Sequence, residues 1–280
     1  MLVDAHLDLA MNALYLGRDV AGSAHETRDR EGPGTRGGTS TVGLADMIRG
    51  EIGLCFATVS VLARRAWMPL SELNFVDADD AHRQGLRQIE IYSELESAGR
   101  LRVITDTESL DDHLDGWDAN PDDRRVGAVL LMEGAYPIRH PDELAVWVEA
   151  GVRIIGLSWA TSAYAGGTYG PGRLTDEGRE LLAGMQAAGV ILDVSHLSDA
   201  SFFDVLDCYD GPVLGSHVNC RALVPGERQL TDLMIGALIE RDAVLGTACD
   251  AWMLVPRWKK KQSSPSICPM TRLVDHIDHV

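Results

Sequence analysis

The chain has 280 residues, of which 45% are hydrophobic, and its 42 acidic and 25 basic side chains leave a formal net charge of −17. That length and apolar content allow one large folded domain and exclude a disordered chain. The negative charge repels nucleic-acid phosphates and anionic membrane surfaces, so a small-molecule or cation-binding role fits better than either, while a merely soluble acidic surface is equally compatible with it.

The first predicted strand is "LVDAHLDLA" (2–10). Its His6 and Asp8 stand two residues apart and so share one face of a strand. Such a pair can chelate a cation, although a half-exposed strand with one polar face gives the same pattern. Residues 17–43, including "REGPGTRGGTST", read as a long loop of the functional or mobile kind. "IGLCFATVSVL" (52–62) is a buried parallel strand by its nearly unbroken apolar run. The polar segment 78–99, with Leu86, Ile89, Tyr92 and Leu95 at three-residue spacing, predicts a long exposed helix.

"VGAVLLMEG" (126–134) is another strand, and Leu144, Trp147 and Val148 mark a helix that Gly151 ends. "VRIIGLSW" (152–159) follows as a strand. A helix capped by Thr175, with Leu181, Leu182, Met185 and Ala188 on its apolar face, stops at Gly189. The strands "VILDVSH" (190–196) and "PVLGSH" (212–217) come next, then a helix with Leu233, Met234, Ala237 and Leu238 as its stripe, then the strand "AVLGTACD" (243–250). "TRLVDHIDHV" (271–280) reads as a helix that precedes a further strand, with Asp275, His276, Asp278 and His279 as surface residues.

Strands alternating with helices indicate a parallel α/β fold. His6, Asp8, Glu133, His196 and His217 fall at or near the carboxyl ends of four strands, where a (β/α)8 barrel gathers its site residues. No Gly-rich phosphate turn follows the first strand, against an open dinucleotide-binding sheet. The expectation is a single (β/α)8 TIM-barrel domain over 1–280, of metal-dependent hydrolase type, that stops before strand eight. The five scattered cysteines form no C-x-x-C pair, no signal-like stretch precedes His6, and no apolar run approaches the roughly 20 residues that span a bilayer. The expected location is the cytoplasm, with no membrane or nucleic-acid partner.

Imidazole nitrogens and carboxylate oxygens suit zinc and similar borderline ions. One histidine ending a strand is as readily a core or loop residue. Two on consecutive strands, each after a serine ("DVSH", "LGSH"), joined by an H-x-D pair and a glutamate, point to metal.

The set "DAHLD", "LMEG", "LDVSHLS", "GSHVNCRAL" and "ERQLTDLMI" resembles the membrane (renal) dipeptidase family of the amidohydrolase superfamily, in order and over almost the whole chain. The resemblance implies two Zn2+ ions, one held by His6 and Asp8, the other by His196 and His217, with Glu133 as the catalytic bridging carboxylate. A hydroxide between the ions would attack the peptide carbonyl. Arg228 matches the family's substrate-carboxylate arginine, its alternative being a solvated loop charge. Trp159 stands where animal members carry a substrate-contacting histidine, and it either packs or lines the pocket. The family's eighth strand supplies a proton-transferring aspartate, whereas this chain stops at "LVDHIDHV", which implies weak hydrolysis by residues 1–280 alone. The implied function is a dinuclear zinc dipeptidase acting on dipeptides, including those with a carboxyl-terminal D-residue. A zinc amidohydrolase for N-acyl amino acids and an impaired metal-binding homologue stay open, as does a homodimer.

Overall fold

A strand runs through each of the seven predicted apolar runs in the computed structural model, which describes residues 1–32, 38–63, 74–260 and 262–280. The chain divides into two units, Met1–Ile155 and Gly156–Val280.

In the first unit the elements are β1 (Leu2–Leu7), α1 (Leu9–Leu16), α2 (Ala24–Glu31), α3 (Leu44–Arg49), β2 (Ile52–Ser60), β3 (Leu62–Ala63), β4 (Asn74–Phe75), α4 (Ala78–Ser97), β5 (Leu101–Val103), α5 (Thr107–Ala119), β6 (Val126–Glu133) and α6 (Leu144–Glu149). β7 (Val152–Gly156) reaches the boundary. β2 pairs in parallel with β1 on one side and β6 on the other. β5 takes the opening residues of β6, and β7 takes its later ones. β6 buries nearly every side chain, as a parallel strand covered on both faces does. Its register with β2 runs from Leu54 opposite Gly127 to Ser60 opposite Glu133, so two polar side chains end the strands together.

The helix α4 is not the exposed helix expected. Asp77 caps it, and its inward face is Ala81, Gly85, Gln88, Ile89 and Tyr92, while Leu86 and Leu95 are only half-buried. A polar side chain at the centre of that face hid it from an apolar count. Gln88 donates to the Ser60 carbonyl (2.6 Å) and accepts the Ser60 N–H (2.9 Å), and Tyr92 donates to the Thr58 carbonyl (2.7 Å). α4 thus satisfies the backbone at the carboxyl end of β2, where pairing with β1 has stopped at Ala57. Gly85 lets it approach, because a Cβ there would stand 2.8 Å from the Trp147 ring and 2.9 Å from Pro137.

The loop expected over 17–43 contains α2, and residues 33–37 of it lie outside the described residues. "AHETRDRE" has no apolar stripe to reveal a helix. It is held by the Ser23 cap and by a bidentate pair from buried Arg18 to Glu31 (2.7 and 3.0 Å). β3, β4 and β5 are too short to show a period, but α5 carries a legible signal in its Asp106/Ser109 capping box.

In the second unit the elements are α7 (Asp176–Ala187), β8 (Ile191–Asp193), α8 (Asp199–Leu206), β9 (Val213–Val218), α9 (Asp232–Glu240), β10 (Val244–Thr247), α10 (Ala251–Leu254) and α11 (Thr271–His279). β9 pairs in parallel with β8 and β10. Thr175 caps α7 as expected, accepting the Gly178 N–H, and Gly189 follows in the left-handed conformation at φ 67°. The stripe of α9 is rotated from the expected one. Met234, Ile235 and Leu238 are buried and Leu233 is 79% exposed. Among the described residues no helix is long and apolar enough to cross a membrane.

His276 is not a surface residue. It is 2% exposed, and its Nδ1 accepts the Cys220 N–H (3.1 Å), while the Cys220 thiol lies against the His276 carbonyl (3.4 Å). An accepting Nδ1 requires the neutral imidazole with its proton on Nε2. Burial lowers the His276 pKa, with Asp275 opposing the shift and His279 adding to it. The folded state therefore binds fewer protons here than the unfolded chain, so this contribution is complete above the unfolded pKa of about 6.5 and is lost as pH falls below it. Thermal denaturation should show the wild-type Tm falling between about pH 6.5 and 5, with a shallower fall for His276→Gln. Identical pH slopes would remove His276 from the account.

Candidate functional site

The first unit places three of the expected ligand residues together. His6 Nε2 lies 3.5 Å from Glu133 Oε1 and 3.9 Å from Asp8 Oδ1. His6 and Asp8 do not share one strand face. β1 ends at Leu7, and Asp8 sits at the N-cap position of α1 without capping it. Its carboxylate instead accepts a hydrogen bond from Thr58 Oγ1 (2.5 Å).

Glu133 ends β6, is 8% exposed, and accepts from Ser60 Oγ (2.8 Å). Gly134 then turns the chain at φ 80°, a left-handed conformation that favours glycine. Asp4 accepts the His6 N–H (3.1 Å), and burial raises its pKa against that hydrogen bond.

The second unit brings His196, His217, Trp159 and Arg228 together. His196 does not lie on a strand, because β8 stops at Asp193 and His196 occupies a turn with φ 68°. His217 lies within β9. Their Nε2 atoms face each other at 3.0 Å. Trp159 follows β7 in a turn, and its ring centroid is 5.3 Å from that of His196.

Each imidazole meets a hydroxyl through its other nitrogen. Ser216 Oγ is 2.7 Å from His217 Nδ1 and donates to buried Asp193 Oδ2 (2.5 Å). Thr168 Oγ1 is 3.1 Å from His196 Nδ1 and 3.2 Å from the His196 carbonyl oxygen. A hydroxyl has one proton, so an oxygen already donating must accept from the imidazole. Ser216, whose proton goes to the Asp193 carboxylate, must accept from His217 Nδ1, which leaves the His217 Nε2 lone pair facing His196 Nε2, while Thr168 meets His196 Nδ1 as donor or acceptor.

Arg228 is 5% exposed, which overturns the solvated-loop alternative, and its Nη2 donates to the His217 carbonyl (2.6 Å). Thr58, Ser60, Thr168, Asp193 and Ser216 were missed as site residues. The serine before His217 was a visible signal for its hydroxyl, whereas Thr168 lies 28 positions from His196, and Thr58 and Ser60 sit in an apolar run that marks only a strand.

The donor sets fit a divalent cation. One imidazole nitrogen with two carboxylates, and two opposed imidazole nitrogens, are the ligands that zinc and its neighbours take. Two imidazole nitrogens 3.0 Å apart share a proton or ligate a common cation, and the Nδ1 contacts with hydroxyls are the outer-shell kind that metal-ligating histidines make.

A sequence model of the family described as membrane dipeptidase (peptidase family M19) matches residues 1–280. An uncharacterised protein in the PQQ-III 3′ region of Acinetobacter calcoaceticus is 31% identical over 47% of this chain and 45% of its own length. An uncharacterised protein in the pqqA 5′ region of Klebsiella pneumoniae is 28% identical over 66% of this chain and 68% of its own. Dipeptidase tcpJ of Claviceps purpurea is 24% identical over 85% of this chain and 54% of its own. The chain thus spans about half the length of the first and third of these relatives.

Among solved structures, a metallo peptidase from Rhodobacter sphaeroides, liganded with a phosphinate mimic of the dipeptide L-Ala-D-Ala, has 23% identity and a TM-score of 0.77, covering 99% of this chain and 81% of that one. The dipeptidase AC structure has 24% identity and a TM-score of 0.76, covering 99% and 79%. At these identities the likeness is one of fold, the mixed α/β, TIM-barrel-like fold.

If Ser216 orients His217 through Nδ1, Ser216→Ala should weaken metal binding by about tenfold, the lower end of outer-shell effects. Competition against a chromogenic chelator checks this, with circular dichroism to establish that the variant folds.

Proposed function

This chain belongs to the membrane dipeptidase family, and we propose that it is a metal-dependent dipeptidase that works with two zinc ions. The observation that carries the reading is the His196–His217 pair, whose Nε2 atoms stand 3.0 Å apart while hydroxyls engage both Nδ1 atoms. A cation beside the pair takes both Nε2 atoms as ligands in place of the proton they otherwise share. His6, Asp8 and Glu133 make the other ligand set.

A divalent ion bound in such a set acidifies a water and polarises the scissile carbonyl. The chain's own residues supply the rest. Thr58 and Ser60 hold the Asp8 and Glu133 carboxylates in place. Glu133 is the candidate catalytic carboxylate. Arg228, anchored to the residue that carries the His217 imidazole, presents a guanidinium suited to the planar carboxylate at a dipeptide's end. Trp159 covers one side of His196 and so limits water there. The relative liganded with an L-Ala-D-Ala mimic supports small dipeptides with a carboxyl-terminal D-residue as substrates. The scattered cysteines, none in a C-x-x-C pair, support a reducing, cytoplasmic location.

The purified chain should release alanine from L-Ala-D-Ala at a weak but measurable rate, lose that activity on treatment with a chelator and recover it with zinc. His217→Ala should lose both metal and turnover. Undiminished turnover by metal-stripped protein would overturn the reading.

Arg228→Lys keeps the charge but loses the planar fork, so KM should rise by about tenfold or more with a smaller effect on kcat. Steady-state kinetics with free and carboxyl-amidated dipeptides checks this, since the preference for the free carboxylate should shrink as well.

A further inference from the structure

A cavity of about 430 Å3 opens beside Arg228 in the second unit, within the size range of small-ligand sites. Tyr169 and Trp252 line it, with Val224, Pro225 and Gln229. Tyr169 is 54% exposed and Trp252 43% exposed, so two large aromatic side chains present much of their surface to water at one cavity. Single exposed apolar residues are ordinary, but two aromatics framing a cavity beside a buried arginine are not.

Both aromatics are indexed to the metal-ligand candidates by short, rigid links. Tyr169 immediately follows Thr168, whose hydroxyl meets His196 Nδ1. Its backbone is left-handed at φ 57°, which is uncommon for a side chain of this size, and its N–H donates to Glu227 Oε1 (3.2 Å). Glu227 precedes Arg228 in the chain, so the hydrogen bond that holds the strained residue comes from the arginine's own loop. Strain of this kind persists where the surroundings over-determine it, and it is concentrated at ligand sites.

Trp252 lies on α10, and buried Gln229 donates from Nε2 to the Met253 carbonyl on the same helix (2.9 Å). The Arg228 loop is itself pinned at its base by Leu230 N–H to the Asn219 carbonyl (2.9 Å) and Arg221 N–H to the Leu230 carbonyl (2.8 Å). The walls of the cavity are therefore built before any ligand arrives.

We propose that this cavity is the subsite for the side chain of the dipeptide's carboxyl-terminal residue, and that Tyr169 and Trp252 select an aromatic or large apolar side chain there. The inference rests on the dipeptidase reading for its substrate. A carboxylate at Arg228 fixes the carboxyl-terminal residue beside the cavity. A methyl side chain would leave both aromatic surfaces wet, whereas a ring buries them and gains edge or offset stacking.

The test compares kcat/KM for L-Ala-D-Phe and L-Ala-D-Ala in the zinc-loaded chain, with calorimetric binding of D- and L-phenylalanine against D- and L-alanine as a readout that needs no turnover. Wild type should prefer the phenylalanine dipeptide. Tyr169→Ala and Trp252→Ala should each lower the Phe/Ala ratio by about tenfold, the scale of side-chain discrimination in an apolar pocket.

The same variants should weaken phenylalanine binding more than alanine binding. A merely structural role would depress both dipeptides alike, and an unchanged ratio in both variants overturns the subsite. If no dipeptide is hydrolysed, the dipeptidase reading fails by itself. The cavity is then judged by calorimetry alone, where equal binding of phenylalanine and alanine overturns it.

Discussion

The carboxylate of Asp193, 1% exposed at the end of β8, is the group on which the candidate ligands of the second unit depend. A buried carboxylate is costly unless hydrogen bonds compensate it. Asp193 receives three: the N–H groups of Ser195 (2.9 Å) and Ser216 (3.0 Å) on Oδ1, and the Ser216 hydroxyl on Oδ2. Those bonds tie the turn after β8 to β9. They also dictate where the Ser216 proton points, which turns the hydroxyl oxygen into an acceptor for His217. A stability requirement, satisfying one buried charge, thereby sets the protonation of a candidate ligand.

The first unit reaches a similar result with neutral groups. Thr58 and Ser60 lie two residues apart on β2, so both hydroxyls project from one face, toward Asp8 and Glu133. Their backbone groups lie at the strand's end, and α4 supplies partners through Gln88 and Tyr92. The close seating of α4 relies on the missing Cβ of Gly85. A glycine and a glutamine on a helix far along the chain thus help hold the carboxylates beside His6.

In the proposed reading Arg228 connects chemistry to selectivity. Its guanidinium is fastened to the backbone of His217, and its loop supplies both Glu227, which holds Tyr169, and Gln229, which holds α10 and with it Trp252. The proposed carboxylate clamp and the two aromatic walls accordingly share one framework, so displacing the loop would disturb substrate position and side-chain preference together.

By itself the sequence determined the alternation of buried parallel strands with helices, because apolar runs and capping residues such as Thr175 are local signals. It also made the candidate ligand residues legible as types: an imidazole two positions from a carboxylate, a glutamate ending an apolar run, and two histidines that each follow a serine. It misjudged features whose cause lies elsewhere in the chain. Leu233 looked inward, and His276 looked exposed until Cys220 was seen to donate to it. α2 was hidden because its partner, Arg18, lies outside it. Only the tertiary structure decided that Arg228 is buried, that Asp8 faces Thr58 instead of capping α1, and that both Nδ1 atoms meet hydroxyls. The physical reason is that hydrogen-bond direction and burial are pairwise properties, set by residues tens of positions apart, whereas strand and helix signals are written within a single turn or run.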